Sequence, residues 1–192
     1  MLGDCIAKYG ADGCADITTR ANIQLRGIPL DDASEIIHKL EANGLTSFMT
    51  GMDNVRNLTG SPIAGLDPHE LVDVRPILVE MQDVITNHGK GRADLTNMPR
   101  KINICMSPSR DDWPHTHIND LGFEAVKNAA GEVVFNVVVG GYFSIKRNVI
   151  SIPLGCSVTQ AQVCLELGHV FRVVYTFTAR HNYLQNYLPL DG

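Results

Sequence analysis

Met98-Pro99-Arg100-Lys101-Ile102-Asn103-Ile104-Cys105 is the stretch whose reading decides the fold. Pro99 fixes its own φ and biases Met98 toward extended backbone. Beyond it, Ile102 and Ile104 alternate with Lys101, Asn103 and Cys105, and side chains on a strand point to opposite faces with period two. The segment therefore predicts a strand anchored by its isoleucines, with Lys101 and Asn103 projecting together from the other face. A cation beside a neutral amide on a rigid element can receive a small anion. Taken alone, the segment reads as a strand whose polar side simply faces water.

Upstream, the alternation runs from Ala15 to Arg26. Ile17, Thr19, Ala21, Ile23 and Leu25 fall on one side; Asp16, Thr18, Arg20, Asn22, Gln24 and Arg26 fall on the other. This predicts a second strand with one packed and one polar face. Its donor-rich row would span roughly 20 Å at the usual strand rise. Such a row suits an elongated polyanion, or an exposed face of an antiparallel sheet.

Gly27 and Pro29 end that strand, and Asp32 or Ser34 can cap a helix over about 33–42, with Ile36, Ile37 and Leu40 as its buried stripe and Asn43-Gly44 as its stop. His38 reads as a surface residue of this helix. Gly51-Met-Asp-Asn-Val-Arg-Asn57 is polar, so Arg56 taken alone reads as a solvated loop arginine, and a Gly/Pro-rich loop follows to Pro68. Residues 69–87 have helical periodicity, but Pro76 predicts two pieces. His88 to Gly91 is a turn.

From Ser107 to Asp120 the chain reads as loop. Its His115 and His117 have H-x-H spacing, a weak metal signal with no third ligand nearby, so hydrogen-bonding histidines are expected. Glu132 to Val139 predicts a buried strand. Gly140-Gly141 then permits close backbone approach, by packing or by a ligand. A helix is expected over Val158–Val174, and Tyr175–Gly192 has no assignment. This order of elements makes the fold class α+β, or mixed α/β.

The composition sets further bounds. The chain has 192 residues and 44% hydrophobic content, enough for one domain or parts of two. Its net charge of -5 argues against a general nucleic-acid binder while leaving room for a local cationic pocket. No apolar run is long enough for a membrane span, and the opening residues lack the features of a secretory signal. Its five cysteines, Cys5, Cys14, Cys105, Cys156 and Cys164, include no close pair, so reduced structural thiols are expected rather than a disulfide framework or a zinc site.

Six stretches in order carry a resemblance. They are Asp12–Gly27, Gly51–Asn57, Gly65–His69, Pro99–Asn103, His117–Leu121 and Gly140–Arg147. Together they resemble the sirohaem-dependent nitrite and sulfite reductases, on the ferredoxin–nitrite reductase side. The resemblance implies a ferredoxin-like half-domain ending near residue 45, a first sirohaem-binding α/β domain over 46–156, and a divergent tail over 157–192. It implies sirohaem coupled to a [4Fe-4S] cluster, ferredoxin as electron donor, and nitrite reduced to ammonium in nitrate assimilation. It sets Thr19, Arg20, Asn22, Gln24 and Arg26 against sirohaem. Four of these lie on the polar face already read, whereas alternation turns Thr19 the other way. Arg56 and Lys101 come beside the substrate, Arg100 at a cofactor carboxylate, and Gly140 and Gly141 near the cofactor. Asn103 stands where similar sulfite reductases carry lysine, and one fewer positive charge suits monoanionic nitrite.

The resemblance covers Gly3 to Leu154, well under half of a full-length member. No cysteine motif for the cluster is recognisable, and a [4Fe-4S] cluster normally takes four cysteine ligands. The expectation is a fragment that is inactive alone. The alternatives are a relative of sulfite reductase, a non-catalytic module that binds a tetrapyrrole or a partner, and a relic without function. By resemblance the location is the chloroplast stroma or the cyanobacterial cytoplasm.

Overall fold

Residues 1–10, 12–95, 98, 100–144 and 148–165 are described by the computed structural model, which divides the chain into two units, Met1–Thr50 and Gly51–Gly192. The first unit opens with α1 (Leu2–Tyr9), which buries Cys5. Tyr9 at its end donates a hydrogen bond to Asp32 at 2.7 Å. Two short strands follow, β1 (Asp16–Ile17) and β2 (Ile23–Gln24), paired antiparallel with Asp16 opposite Gln24.

The segment Ala15–Arg26 is therefore a hairpin, and the single long strand expected from its alternation is corrected. Thr18 is the reason. Its amide donates to the Asn22 carbonyl at 2.8 Å, and its Oγ1 accepts from the amides of Arg20 and Asn22. Ala21 completes the reversal with a left-handed φ of 55°, a conformation few non-glycine residues adopt. The expected packed face is not packed, since Ile17 is 86% exposed and Ile23 49%.

Helix α2 (Leu30–Ala42) starts earlier than expected. Pro29 is its N-cap, which leaves Asp32 in the first turn rather than capping it. Ile36 is buried while Ile37 is exposed, so the buried stripe is narrower than Ile36, Ile37 and Leu40. Asn43-Gly44 does stop the helix. Gly44 takes φ 71°, and Leu45 donates back to the Leu40 carbonyl.

The second unit contains β3 (Val55–Thr59), α3 (Arg75–Thr86), β4 (Ile102–Ser107), β5 (Leu121–Lys127), β6 (Val133–Val139), the small strands β7 (Tyr142–Phe143) and β8 (Asn148–Val149), β9 (Ile152–Val158) and α4 (Gln160–Leu165). Five strands form one sheet in the order β3-β4-β5-β6-β9. β3, β4 and β5 are parallel, whereas β6 runs antiparallel to both of its neighbours, β5 and β9. β7 and β8 pair separately as a hairpin. The class is mixed α+β, as expected.

Pro76 does not split a helix. It sits in the first turn of α3, where its absent N–H is not needed, and Asp73 accepts the Arg75 amide just ahead of it at 3.0 Å. Ile77, Met81 and Ile85 are the buried stripe of α3, which packs on β3 and α4. Of the helix expected over Val158–Val174, only α4 is described. The rest of that helix, the tail to Gly192, Pro99 and Ile145–Arg147 lie outside the described residues.

Strand β4 lies between two parallel neighbours and is buried along its whole length. The expected alternation is present, but its polar side does not meet water. Cys105 Sγ lies 3.6 Å from the Pro114 carbonyl and 3.7 Å from Thr116 Oγ1, and Ser107 Oγ donates to the Ser109 carbonyl. The segment from Pro108 to Asp120 thus covers this face and supplies its hydrogen-bond partners, as buried polar groups require.

Candidate functional site

In the second unit, the expected site residues Arg56, Arg100, Lys101 and Asn103 fall where β3 and β4 begin. Val55 stands opposite Ile102 and Asn57 opposite Asn103, so Arg56 is the extra residue of a β-bulge. It belongs to a strand, and its reading as a loop arginine is corrected. Bulges re-aim side chains and recur beside active sites. The Arg56 Nη2 donates to the Met52 carbonyl. Its Nε is buried with no acceptor among the described residues. An unsatisfied buried donor costs about 1–3 kcal/mol, which an acceptor brought from outside would relieve.

The segment before β4 is tied to the same place. The Met98 amide donates to the Asp53 carbonyl, and the Ile102 amide to that of Asn54. The Asp53 carboxylate takes the Lys101 amide at 3.1 Å and lies 3.8 Å from Arg100 Nη1. Asp53 thus holds Arg100 and Lys101 to the segment that leads into Arg56.

Asn103 is placed differently from Lys101. It is 6% exposed, and both its backbone N and its Nδ2 donate to Asp120 Oδ2, at 2.8 and 3.0 Å. Sequence reasoning did not single out Asp120. The usable signal was an asparagine on a buried strand, which must find a partner.

Gly140 and Gly141 make the close approach expected of them, and the near surface is protein. A Cβ at Gly141 would come closer than 3.0 Å to the carbonyl oxygens of His117 and Asn119, and the Gly140 amide donates to the Asp120 carbonyl. His117 fulfils the hydrogen-bonding expectation: Nε2 lies 2.7 Å from Glu124 Oε1 and Nδ1 3.0 Å from Ser151 Oγ. His115 is exposed.

In the first unit, the β1–β2 hairpin presents Thr19, Arg20, Asn22, Gln24 and Arg26. Arg26 Nε donates to Asp16 Oδ2 at 2.5 Å and its Nη2 to Gln24 Oε1 at 3.1 Å. Asn22 Nδ2 donates to the Arg20 carbonyl. Thr19 is exposed at the turn, so the alternation argument that set it apart no longer applies. Two guanidinium groups among amides form a donor set that fits the carboxylates of a tetrapyrrole.

Among the described residues, no group of cysteines offers itself to an iron–sulfur cluster. Cys5 and Cys105 are buried, while Cys14 and Cys156 are exposed. Among the described residues, the one group of three metal-ligating side chains is Asp67, His69 and Asp111, which contains no cysteine. It also has Arg110 Nη2 3.2 Å from His69 Nε2, and a guanidinium there opposes a metal ion.

The Asp67 carboxyl is held below its ordinary range, first by the Ser109 hydroxyl donating at 2.5 Å and then by the His69 amide. A depressed carboxyl adds stability above its unfolded value, and that stability is lost as pH falls through the folded value. Ser109→Ala is expected to move the Asp67 titration upward and start acid unfolding at higher pH. Carboxyl carbon shifts and a circular-dichroism acid titration measure both.

The family description "Nitrite and sulphite reductase 4Fe-4S domain" matches residues 51–183, and "Nitrite/Sulfite reductase ferredoxin-like half domain" matches residues 1–43. The chain belongs to the nitrite and sulphite reductase family. It is 47% identical over 179 residues to the ferredoxin–nitrite reductase of Leptolyngbya laminosa, covering 93% of this chain and 34% of that protein. With the chloroplastic ferredoxin–nitrite reductase of Spinacia oleracea it shares 49% over 175 residues, covering 89% and 29%. The solved NirA protein of Mycobacterium tuberculosis superposes with a TM-score of 0.72 at 26% identity, over 91% of this chain and 30% of that one. The chain thus spans only 34% and 29% of those two curated relatives.

Proposed function

We propose that this chain is the substrate-side portion of a ferredoxin–nitrite reductase. In this reading Arg56 and Lys101 hold nitrite. Thr19, Arg20, Asn22, Gln24 and Arg26 contact sirohaem, Arg100 meets another of its carboxylates, and Gly140 and Gly141 shape the turn near it. The observation that carries the reading is the buried Arg56 Nε at the β3 bulge, a donor with no acceptor among the described residues.

Sirohaem, when bound, would supply the iron centre at which nitrite is reduced to ammonium, with ferredoxin as the source of electrons. The chain's own part is electrostatic. Arg56 and Lys101 offset the charge of the anion and orient it, and a fixed cation costs no reorganisation when negative charge develops on oxygen. Asn103 adds no positive charge, which favours monoanionic nitrite; a relative acting on sulfite is the runner-up.

No step is assigned to a [4Fe-4S] cluster, because the described cysteines do not gather. A second reading is a module that binds a tetrapyrrole without turnover, for which the donor-bearing hairpin would suffice. The relatives' names support a chloroplast stromal or cyanobacterial location. Among the described residues, no helix is long and apolar enough to cross a membrane.

Reconstitution with sirohaem, followed by an absorption spectrum and a nitrite assay with reduced dye, tests these readings. The expected result is a bound-tetrapyrrole spectrum without turnover. Turnover by this chain alone would overturn the claim that it lacks a competent centre. Failure to bind sirohaem would overturn the assignment of the hairpin.

A further inference from the structure

Residues 51–56 leave two complementary atoms open. Asn54 Nδ2 donates to the Gly51 carbonyl at 3.0 Å, and Arg56 Nη2 donates to that of Met52. Each tether fixes what remains. The Asn54 amide cannot be turned over without facing its oxygen to a carbonyl, so Oδ1 stays an acceptor, and a guanidinium has only donors. Asn54 Oδ1 and Arg56 Nε are both buried with no hydrogen-bond partner among the described residues. Val55 between them is a core residue, 3% exposed, and period two turns its neighbours to the opposite face. The acceptor and the donor could satisfy each other, yet the tethers hold them unpaired. Buried polar atoms ordinarily find partners, and a ligand that carries both a lone pair and a hydrogen would serve the two together.

We propose that Asn54 is a specificity-determining residue whose Oδ1 receives an O–H or N–H of the ligand that Arg56 holds. Among ligands of equal charge, it favours one that carries a hydrogen. This rests on the reading that Arg56 binds nitrite. Nitrite has lone pairs and no hydrogen, so it takes the Arg56 Nε–H and leaves Asn54 Oδ1 open. Reduction to ammonium removes oxygen from the nitrogen and adds hydrogen, so the ligand gains donors as the reaction advances. An acceptor fixed in place beforehand binds those later species better than the starting anion, and only an interaction that strengthens along the path speeds it. One such hydrogen bond changes affinity roughly threefold to tenfold.

The test compares nitrate with bicarbonate, two planar monoanions of similar size of which only bicarbonate carries an O–H. Their sodium salts, and sodium nitrite separately, are titrated against the ¹⁵Nε–H resonance of Arg56 in the full chain, at a pH where bicarbonate is the main carbonate species. Asn54→Leu keeps the bulk of the side chain and removes the acceptor. The expected result is that bicarbonate affinity falls relative to nitrate by roughly threefold to tenfold, with nitrate still bound. A merely structural Asn54 would weaken both anions at an unchanged ratio, or abolish both together. Either result overturns the proposal and leaves nitrite binding by the parental chain standing. A parental chain that binds nitrite but not bicarbonate overturns it too. If Asn54→Leu loses its cooperative melting transition, Asn54→Ala is judged by the same ratio. A parental chain silent to nitrite would instead sink the nitrite-binding reading, and this proposal with it.

Discussion

Gly141→Ala is expected to destabilise the second unit by about 3 kcal/mol, near the upper end for overpacking. In a chain of this size that lowers the melting temperature by roughly 6–12 °C. The new Cβ would meet the carbonyl oxygens of His117 and Asn119 and, at 2.9 Å, the Asn119 amide. All three are backbone atoms, and no rotamer change relieves them. The turn that carries them is pinned from several sides. His117 bridges Glu124 and Ser151, its carbonyl takes the Ser151 amide, and the Asn119 amide is held by the Thr116 carbonyl. Gly51→Ala is the control, because nothing lies within 4 Å of its Cβ. A melting temperature for Gly141→Ala within a degree of the control would mean that the turn yields, and that the glycine is required for something other than packing.

That turn also illustrates what could be read in advance. The Gly-Gly pair signalled a close approach, but not whether to protein or to ligand. The apolar run of β6 and the Asn43-Gly44 stop were legible because each is decided by local chemistry. The hairpin at Ala15–Arg26 was not legible. Its reversal depends on the Thr18 hydroxyl and a left-handed Ala21, with no glycine or proline to mark it. Period two continued across the turn as if the strand were unbroken.

β3 was hidden for a different reason. Arg56 and Asn57 make it look solvated, yet the bulge and the neighbouring β4 give these polar residues a place in the sheet. β9 contains Pro153 and Gly155. Proline is tolerated there because β9 lies at the end of the sheet order. Around the start of β4, the carboxylates that fix its polar residues were not legible. Asp53 acts on Lys101 across 48 residues and Asp120 on Asn103 across 17, and no spacing rule in one sequence announces either pairing.

Replacing Arg20 and Arg26 together by alanine is expected to weaken sirohaem binding by roughly tenfold to a hundredfold, as the loss of charge-assisted hydrogen bonds to carboxylate predicts. The hairpin geometry makes the two contributions unequal. Arg26 is exposed and already engaged by Asp16 and Gln24, so reaching a cofactor carboxylate means exchanging one acceptor for another. Exposed ion pairs of this kind contribute about 0.2–1 kcal/mol, and Arg26→Ala alone should cost no more than about fivefold. Arg20 is partly buried at the turn, where a charge-assisted bond is worth more, and Arg20→Ala alone should account for most of the loss. Absorbance titration of sirohaem into each variant measures this, with Arg75→Ala on α3, whose guanidinium pairs with Asp73 just ahead of the helix, as a control matched in charge to the single variants. Equal affinity in the double variant and the control would show that the hairpin is not where the cofactor's carboxylates are held. Equal losses in the two single variants would show that Arg26 leaves Asp16 at little cost, and that Arg26 and Arg20 contribute alike.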